Sequence, residues 1–258
     1  MKKFFKILGI ALGVIFIVAV CLGIYFYFSY KKEVKQKKEL HERIEQFASE
    51  NSYDYMEYSV RFNKAGDFEN GFKFLNKAVE LNPELHLGYR GWIRLRKMRD
   101  YDKALLDFDK LDSLTPNFID VPWGEDIDFL RGECYFGKKE YNKAIELFGR
   151  SIKNQKEDWA DIHTFVYLGL CEYKLKNYEK SVLEFQRALK QSIYTPEAHF
   201  GLAKAFLKLG NIQKAKEHIL EAEINIDYKR EDYYNEFLNE IYLPEIRKFK
   251  KKLDEIPS

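Results

Sequence analysis

Apolar positions are distributed along this chain in two different ways. From Ile7 to Tyr30 there is no charged residue, and nearly every position is apolar. From residue 52 to residue 226 the apolar positions return every three or four residues, the spacing of amphipathic helices. A longer period lies over the helical one. Phe68, Tyr101, Tyr141, Tyr178 and Ile212 each open the same frame, with Gly71, Ala104, Ala144, Ser181 and Ala215 three positions on. Leu75, Phe108, Phe148, Phe185 and Ile219 follow at seven positions, and Ala78, Leu111, Ser151, Ala188 and Ala222 at ten. The openings are 33, 40, 37 and 34 residues apart, a period that marks an array of stacked helical units.

Nine residues before four of these openings stands a small residue, Ser59, Gly132, Gly169 or Ala203. Small residues there let a first helix approach its paired second helix closely. The second copy departs from the frame. Nine back from Tyr101 is Trp92, and Gly91 lies one residue early, which implies a rotated first helix or one extra residue in the turn. The pattern resembles the tetratricopeptide repeat, a pair of antiparallel helices of about 34 residues. Tyr167-Leu168-Gly169 and Gly201-Leu202-Ala203 fit that family's first helix, and Pro83 and Pro116 stand where its second helix ends. The resemblance implies an all-α, superhelical array of about five repeats, near 52–84, 85–118, 125–158, 162–195 and 196–227.

The interruptions are also legible. Residues 115–124 carry two prolines and a glycine and are predicted as a loop whose Phe118, Ile119, Val121 and Trp123 pack on the array. Asn154 to Asp158 account for the second long spacing. Residues 228–258 are predicted as a capping helix with Tyr233, Tyr234, Phe237, Leu238, Ile241 and Tyr242 on its apolar side. Pro244 should kink or restart that helix, and folding across the array's inner face is an alternative place for it.

The apolar run at 7–30 exceeds the roughly 30 Å of a bilayer core at about 1.5 Å per residue. It is predicted as a single transmembrane helix after a short basic tail, residues 1–6, with an aromatic belt at Tyr25, Phe26, Tyr27, Phe28 and Tyr30. A cleaved signal would have a shorter apolar core and a small-residue cleavage site, which this run lacks. Residues 31–51 continue as a basic helical linker with an apolar stripe at Leu40, Ile44 and Phe47. Three lysines (Lys2, Lys3, Lys6) precede the run and six basic residues (Lys31, Lys32, Lys35, Lys37, Lys38, Arg43) follow, which favours a cytoplasmic repeat domain. An extracytoplasmic domain is the other orientation.

Composition narrows the function classes. With 43 basic and 41 acidic residues the net charge is +2, so no basic field points to nucleic acid. Cys134 and Cys171 each follow a first-helix glycine by two residues and are expected as free core residues, while Cys21 falls in the apolar run. His41, His86, His163, His199 and His218 are far apart in sequence, and no phosphate loop or nucleophile elbow occurs. Glu125, Asp126 and Asp128 suit the first turn of a helix. No catalytic residue, metal site or cofactor is predicted.

What remains is the inner face, which in the resembled family binds peptides or partner helices. Carrying the frame across places Tyr53, Met56, Val60 and Asn63 there, then His86, Tyr89, Ile93 and Arg96, then Asp126, Phe129, Glu133 and Phe136. His163, Val166, Leu170 and Tyr173 follow, and then Glu197, Phe200, Lys204 and Leu207. The candidate partner-binding residues are Tyr89, Ile93, Arg96, Phe129, Glu133, Phe136, Val166, Leu170, Tyr173, Phe200 and Lys204. The Lys, Arg and paired Asn of the family's carboxylate clamp are not assembled, so an apolar helix or extended segment is the expected ligand. The sequence therefore predicts a membrane-tethered scaffold or adaptor for a protein or peptide partner. A structural subunit of a membrane complex or self-associating assembly is the alternative, and an immunity-type protein that neutralises a toxin is a third.

Overall fold

The computed structural model describes residues 2–47, 51–232 and 236–256, and among these every regular element is helical. The chain divides into two units, Met1–Tyr55 and Met56–Ser258. The first is dominated by one long helix, α1 (Lys2–Phe47). Within it the stretch Ile15–Gln36 is long and apolar enough to cross a membrane, and none of it is buried against protein. The helix runs past Tyr30 without a break into the basic segment, where Lys35 pairs with Glu39 at 3.7 Å. The side chains of Leu40, Ile44 and Phe47 lie outside the described ones.

The second unit is the helical array. Its pairs are α2 (Ser52–Lys64) with α3 (Phe68–Leu81), and α4 (Pro83–Ile93) with α5 (Tyr101–Leu114). They continue with α6 (Ile127–Gly137) and α7 (Tyr141–Gln155), α8 (Ile162–Lys174) and α9 (Tyr178–Gln191), and α10 (Pro196–Lys208) and α11 (Ile212–Ile224). The aromatic or Ile that opens each sequence frame is thus the first residue of each second helix. A polar residue stands before it every time, and Asp67, Asp100 and Asn211 accept a backbone N–H of the first turn, the usual N-cap bond. Two residues before each opening the backbone turns left-handed, at Gly66, Arg99, Lys139, Lys176 and Gly210. That conformation ends the first helix and returns the chain antiparallel.

The small first-helix residues do the work the pattern assigned them. A Cβ at Gly132 would lie 2.5 Å from the Phe148 ring, and one at Gly169 would lie 2.7 Å from the Phe185 ring. Phe108, Phe148 and Phe185 are fully buried in this way, each inside its own pair. Gly91 makes the same approach, 2.7 Å from the Phe108 ring, so the second repeat is in frame with Gly91 and not with Trp92. The extra residue is absorbed in a π turn, Arg94–Met98. In four repeats the N–H before the opening reaches five residues back, as from Glu140 to the Tyr135 carbonyl, whereas Asp100 reaches six back, to Arg94.

Two predicted segments differ from the structure. In the loop 115–124, Phe118, Ile119, Val121 and Trp123 are all exposed, and of these four Trp123 meets array rings, tilted against Tyr89 and Trp92. Pro122 packs instead, filling the space beside Gly88, while Thr115 and the Ile127 N–H both bond to Asp120 and hold the loop's ends. The carboxyl-terminal helix is shorter than 228–258: it is α12 (Leu243–Asp254), which starts with Pro244 in its first turn and packs on α11. Residues 229–232 and 236–242 are not helical, because their polar groups bond to the array instead of to a helix of their own. Tyr233 and Tyr234 lie outside the described residues.

Candidate functional site

The first helices α4, α6, α8 and α10 line one side of the array, and the segment between α11 and α12 crosses it. At its centre is a buried charge cluster. Arg96, at the π turn, donates to Glu133 of α6 and, at 2.7 Å, to Glu125. Glu133 also accepts from the Tyr167 hydroxyl of α8 at 2.7 Å, and Glu125 from the Trp92 indole at 3.1 Å. Arg230 of the crossing segment completes the cluster with 2.8 Å to Glu125. Two guanidiniums therefore balance two carboxylates.

Burial of this kind is tolerated only because each charge has a partner. Burial opposes the Arg96 charge, but Glu133 and Glu125 outweigh it and hold its pKa above the ordinary guanidinium value. Burial pushes the Glu133 carboxyl up and Arg96 pulls it back. The net effect raises the Glu133 pKa above the ordinary carboxyl value, while arginine keeps its proton throughout, so the fixed charge of the pair is on Arg96.

The crossing segment adds three further contacts. The Arg230 backbone N–H donates to Glu197 of α10 at 2.7 Å, and burial raises that carboxyl's pKa. Phe237 is buried between two guanidinium faces, 4.8 Å from Arg96 and 4.0 Å from Arg230, a favourable cation–π arrangement. Asn239 donates to Nδ1 of His163 at 3.0 Å, and burial, with the charges of Arg230 and Arg96, lowers the His163 pKa to about 3. At the rim Lys97 faces Glu236 at 3.7 Å.

The predicted groove residues divide into three groups. Tyr89, Ile93, Arg96, Phe129 and Glu133 meet at the centre, and Arg230 lies 5.6 Å over the Phe129 ring. Phe200 and Lys204 face α12, with Phe249 5.7 Å from Phe200 and Glu245 3.8 Å from Lys204. Burial lowers the Lys204 pKa, and its ammonium sits 3.6 Å over the Phe200 ring. Phe136 packs on Tyr167 of α8 at 5.1 Å and on Tyr141 of its own pair at 5.8 Å, Tyr173 turns to Tyr178, Val166 is fully buried and Leu170 packs against the core.

Beside the crossing segment the groove stays open as a cavity of about 700 Å³. Its apolar wall is Val60, Phe68, Tyr89, Trp92 and Trp123, and Tyr89, which accepts from Asn63 at 3.3 Å, joins the two repeats that bound it. Trp92 escaped the sequence frame because of the π turn. It holds the place one residue after the small position that Glu133, Leu170 and Lys204 hold in later repeats. Glu125 escaped as well, since helix-start acidity explains it locally. Asp126 takes the capping role, accepting from the N–H groups of Asp128 and Phe129.

Other reactive groups lie off the groove. Cys134 and Cys171 are buried and free, and burial raises both thiol pKa values, which suppresses thiolate. His199 and His218 face each other, Nδ1 to Nδ1 at 3.0 Å, with His199 Nε2 donating to the Ile193 carbonyl at 2.9 Å. Among the described residues no group of three His, Cys, Asp or Glu side chains is arranged to hold a metal ion.

Residues 168–228 match the family model for the tetratricopeptide repeat. The chain carries tetratricopeptide repeat sequence there, within a helical array of the same architecture. Over 107 residues this repeat protein is 25% identical to the Hsp70/Hsp90 co-chaperone CNS1 of Saccharomyces cerevisiae, covering 41% of the chain and 28% of that relative. It thus spans less than a third of the curated relative it matches. Solved structures share its fold. MamA 41-end from Desulfovibrio magneticus RS-1 superposes with TM-score 0.59 at 19% identity, over 69% of this chain and 96% of that one. PilW, a widely conserved type IV pilus biogenesis factor, gives 0.60 at 14% identity over 75% and 86%. YrrB, a TPR protein with an unusual peptide-binding site, gives 0.53 at 16% identity over 72% and 91%.

Proposed function

We propose that this repeat protein is a membrane-tethered adaptor that holds a protein partner in the groove formed by its first helices. The observation that carries the proposal is the groove itself. It already accommodates an irregular stretch of polypeptide, through Glu125, Glu197, His163 and the Arg96 face, and stays open beside it at the Tyr89–Trp92–Trp123 wall. Aromatic walls with a few fixed polar groups are what peptide ligands use. The apolar helix at Ile15–Gln36 supports tethering, and the excess of lysines after it supports a cytoplasmic array.

The test is cross-linking and affinity capture from native membranes with wild type and a Trp92→Ala, Trp123→Ala variant. A defined protein held by wild type and lost from the folded variant is the expected outcome. Equal recovery with both would move the site off this groove. Carbonate-resistant retention in the membrane and a reporter fused after Ser258 test tethering and sidedness; release by carbonate would defeat the first.

A further inference from the structure

Connections between repeats in this array are mostly tight. Asn82 alone joins α3 to α4, and residues 192–195 join α9 to α10. The connection from α11 to α12 runs from 225 to 242. Its two ends are fixed outside the groove. Ile226–Tyr228 form one 3-10 turn after α11, and α12 packs on α11 as the next first helix would. What lies between enters the groove, reaches Lys97 near the second repeat and returns to His163 in the fourth. Residues 229–232 and 236–242 are not helical, so their release from the groove unwinds no helix and is far less costly than unfolding a repeat.

Its contacts are those of a ligand. The excursion supplies one backbone N–H, one guanidinium, one phenyl ring and one carboxamide. The groove supplies carboxylates at Glu125 and Glu197, a guanidinium face at Arg96 and the imidazole of His163. Without Arg230 the cluster would hold Arg96 against two carboxylates, an excess of one buried negative charge. A groove with that imbalance selects a basic side chain. The face of Arg96 then selects a large aromatic ring. The excursion also leaves the cavity beside Phe68, Tyr89 and Trp123 unfilled, where incoming chain can settle before the excursion leaves.

Taking the groove as the partner site proposed above, we propose that residues 229–232 and 236–242 act as a displaceable internal ligand. The partner is an extended segment that presents an arginine to Glu125 and a large aromatic ring to Arg96, in competition with Arg230 and Phe237. The groove is therefore closed by its own chain until such a segment arrives.

The experiment uses the full chain in detergent and a fluorescent peptide with the sequence of residues 226–242. An Arg230→Ala, Phe237→Ala chain should bind the peptide at least tenfold more tightly than wild type. Replacing the same two residues in the peptide should abolish that binding. Equally weak binding to wild type and a variant with native circular dichroism would overturn the proposal. If the variant does not fold, amide hydrogen exchange on wild type decides. The amides of 229–232 and 236–242 should exchange at least tenfold faster than the helical amides of α8 and α10, and exchange only as slow as theirs would overturn it. The adaptor reading fails separately: peptide binding with no captured partner sinks that reading alone, and a captured partner indifferent to the double variant sinks this one alone.

Discussion

The guanidinium of Arg96 and the carboxylate of Glu133 form an ion pair in which neither side chain is exposed. They belong to successive repeats, 37 residues apart, so the pair ties the π turn of one repeat to the first helix of the next. Arg96→Met leaves Glu133 buried without its main partner and should cost about 3–5 kcal/mol. Adding Glu133→Leu removes the orphaned charge, so the double variant should be more stable than Arg96→Met alone. Urea unfolding of the three chains measures this, and costs that simply add would refute the coupling.

The close approach of first and second helices gives an opposite-sign pair of substitutions. Gly169→Ala puts a methyl group 2.7 Å from the Phe185 ring, and overpacking of that kind costs about 1–3 kcal/mol. Gly149 sits inside α7 with nothing within 4 Å of an added Cβ. Gly149→Ala should therefore stabilise by about 0.5–1 kcal/mol through helix propensity alone. Thermal melting of the two variants should move in opposite directions, and a shared direction would mean the ring contact does not set the spacing.

Much of this fold was visible in the sequence because its determinants are local and repeated. The opening aromatics mark the start of each second helix, and the early glycine at 91 announced the residue that the π turn absorbs. Groove positions chosen by three-and-four spacing did reach one side of the array at Arg96, Phe129, Glu133 and Phe200. Phe136 instead packs between Tyr141 of its own pair and Tyr167 of the next first helix, and Tyr173 against Tyr178 of its own pair. What fills the groove was hidden. Arg230 meets Glu125 across 105 residues, and no local pattern encodes a contact of that separation. Apolar periodicity in 228–242 suggested a helix, but Phe237 and Ile241 are buried by array contacts and not by a helical face.

The left-handed turn residue offers a test of backbone strain alone. Gly210 has φ 76° with open space around it, whereas Lys176 adopts φ 66° at the equivalent place. A residue with a Cβ pays about 1 kcal/mol in that conformation. Gly210→Ala should lower stability by about 1 kcal/mol. Lys176→Gly should raise it by a smaller amount, about 0.5 kcal/mol, because the unfolded chain also gains freedom. Denaturation midpoints shifted in the reverse order would show that the turns are held by something other than their φ angles.

Two histidines make stability fall toward acid pH. Burial lowers the His218 pKa to about 4, with His199 facing it and Glu217, Glu221 and Lys214 nearby. His163 is lowered to about 3 beside Arg230 and Arg96. In the unfolded chain both titrate near 6.5. Between that value and about pH 4 the unfolded chain binds protons that the folded chain does not, so stability decreases as pH falls through this window. Each such histidine contributes on the order of 1 kcal/mol per pH unit. Melting temperatures measured from pH 7 down to pH 4.5 should drop more steeply in wild type than in a His163→Gln, His218→Gln chain. Because His163 accepts from Asn239, its protonation should also loosen residues 236–242 before the repeats unfold. Identical slopes in the two chains would place the acid sensitivity on other groups, the buried His86 and His199 among them.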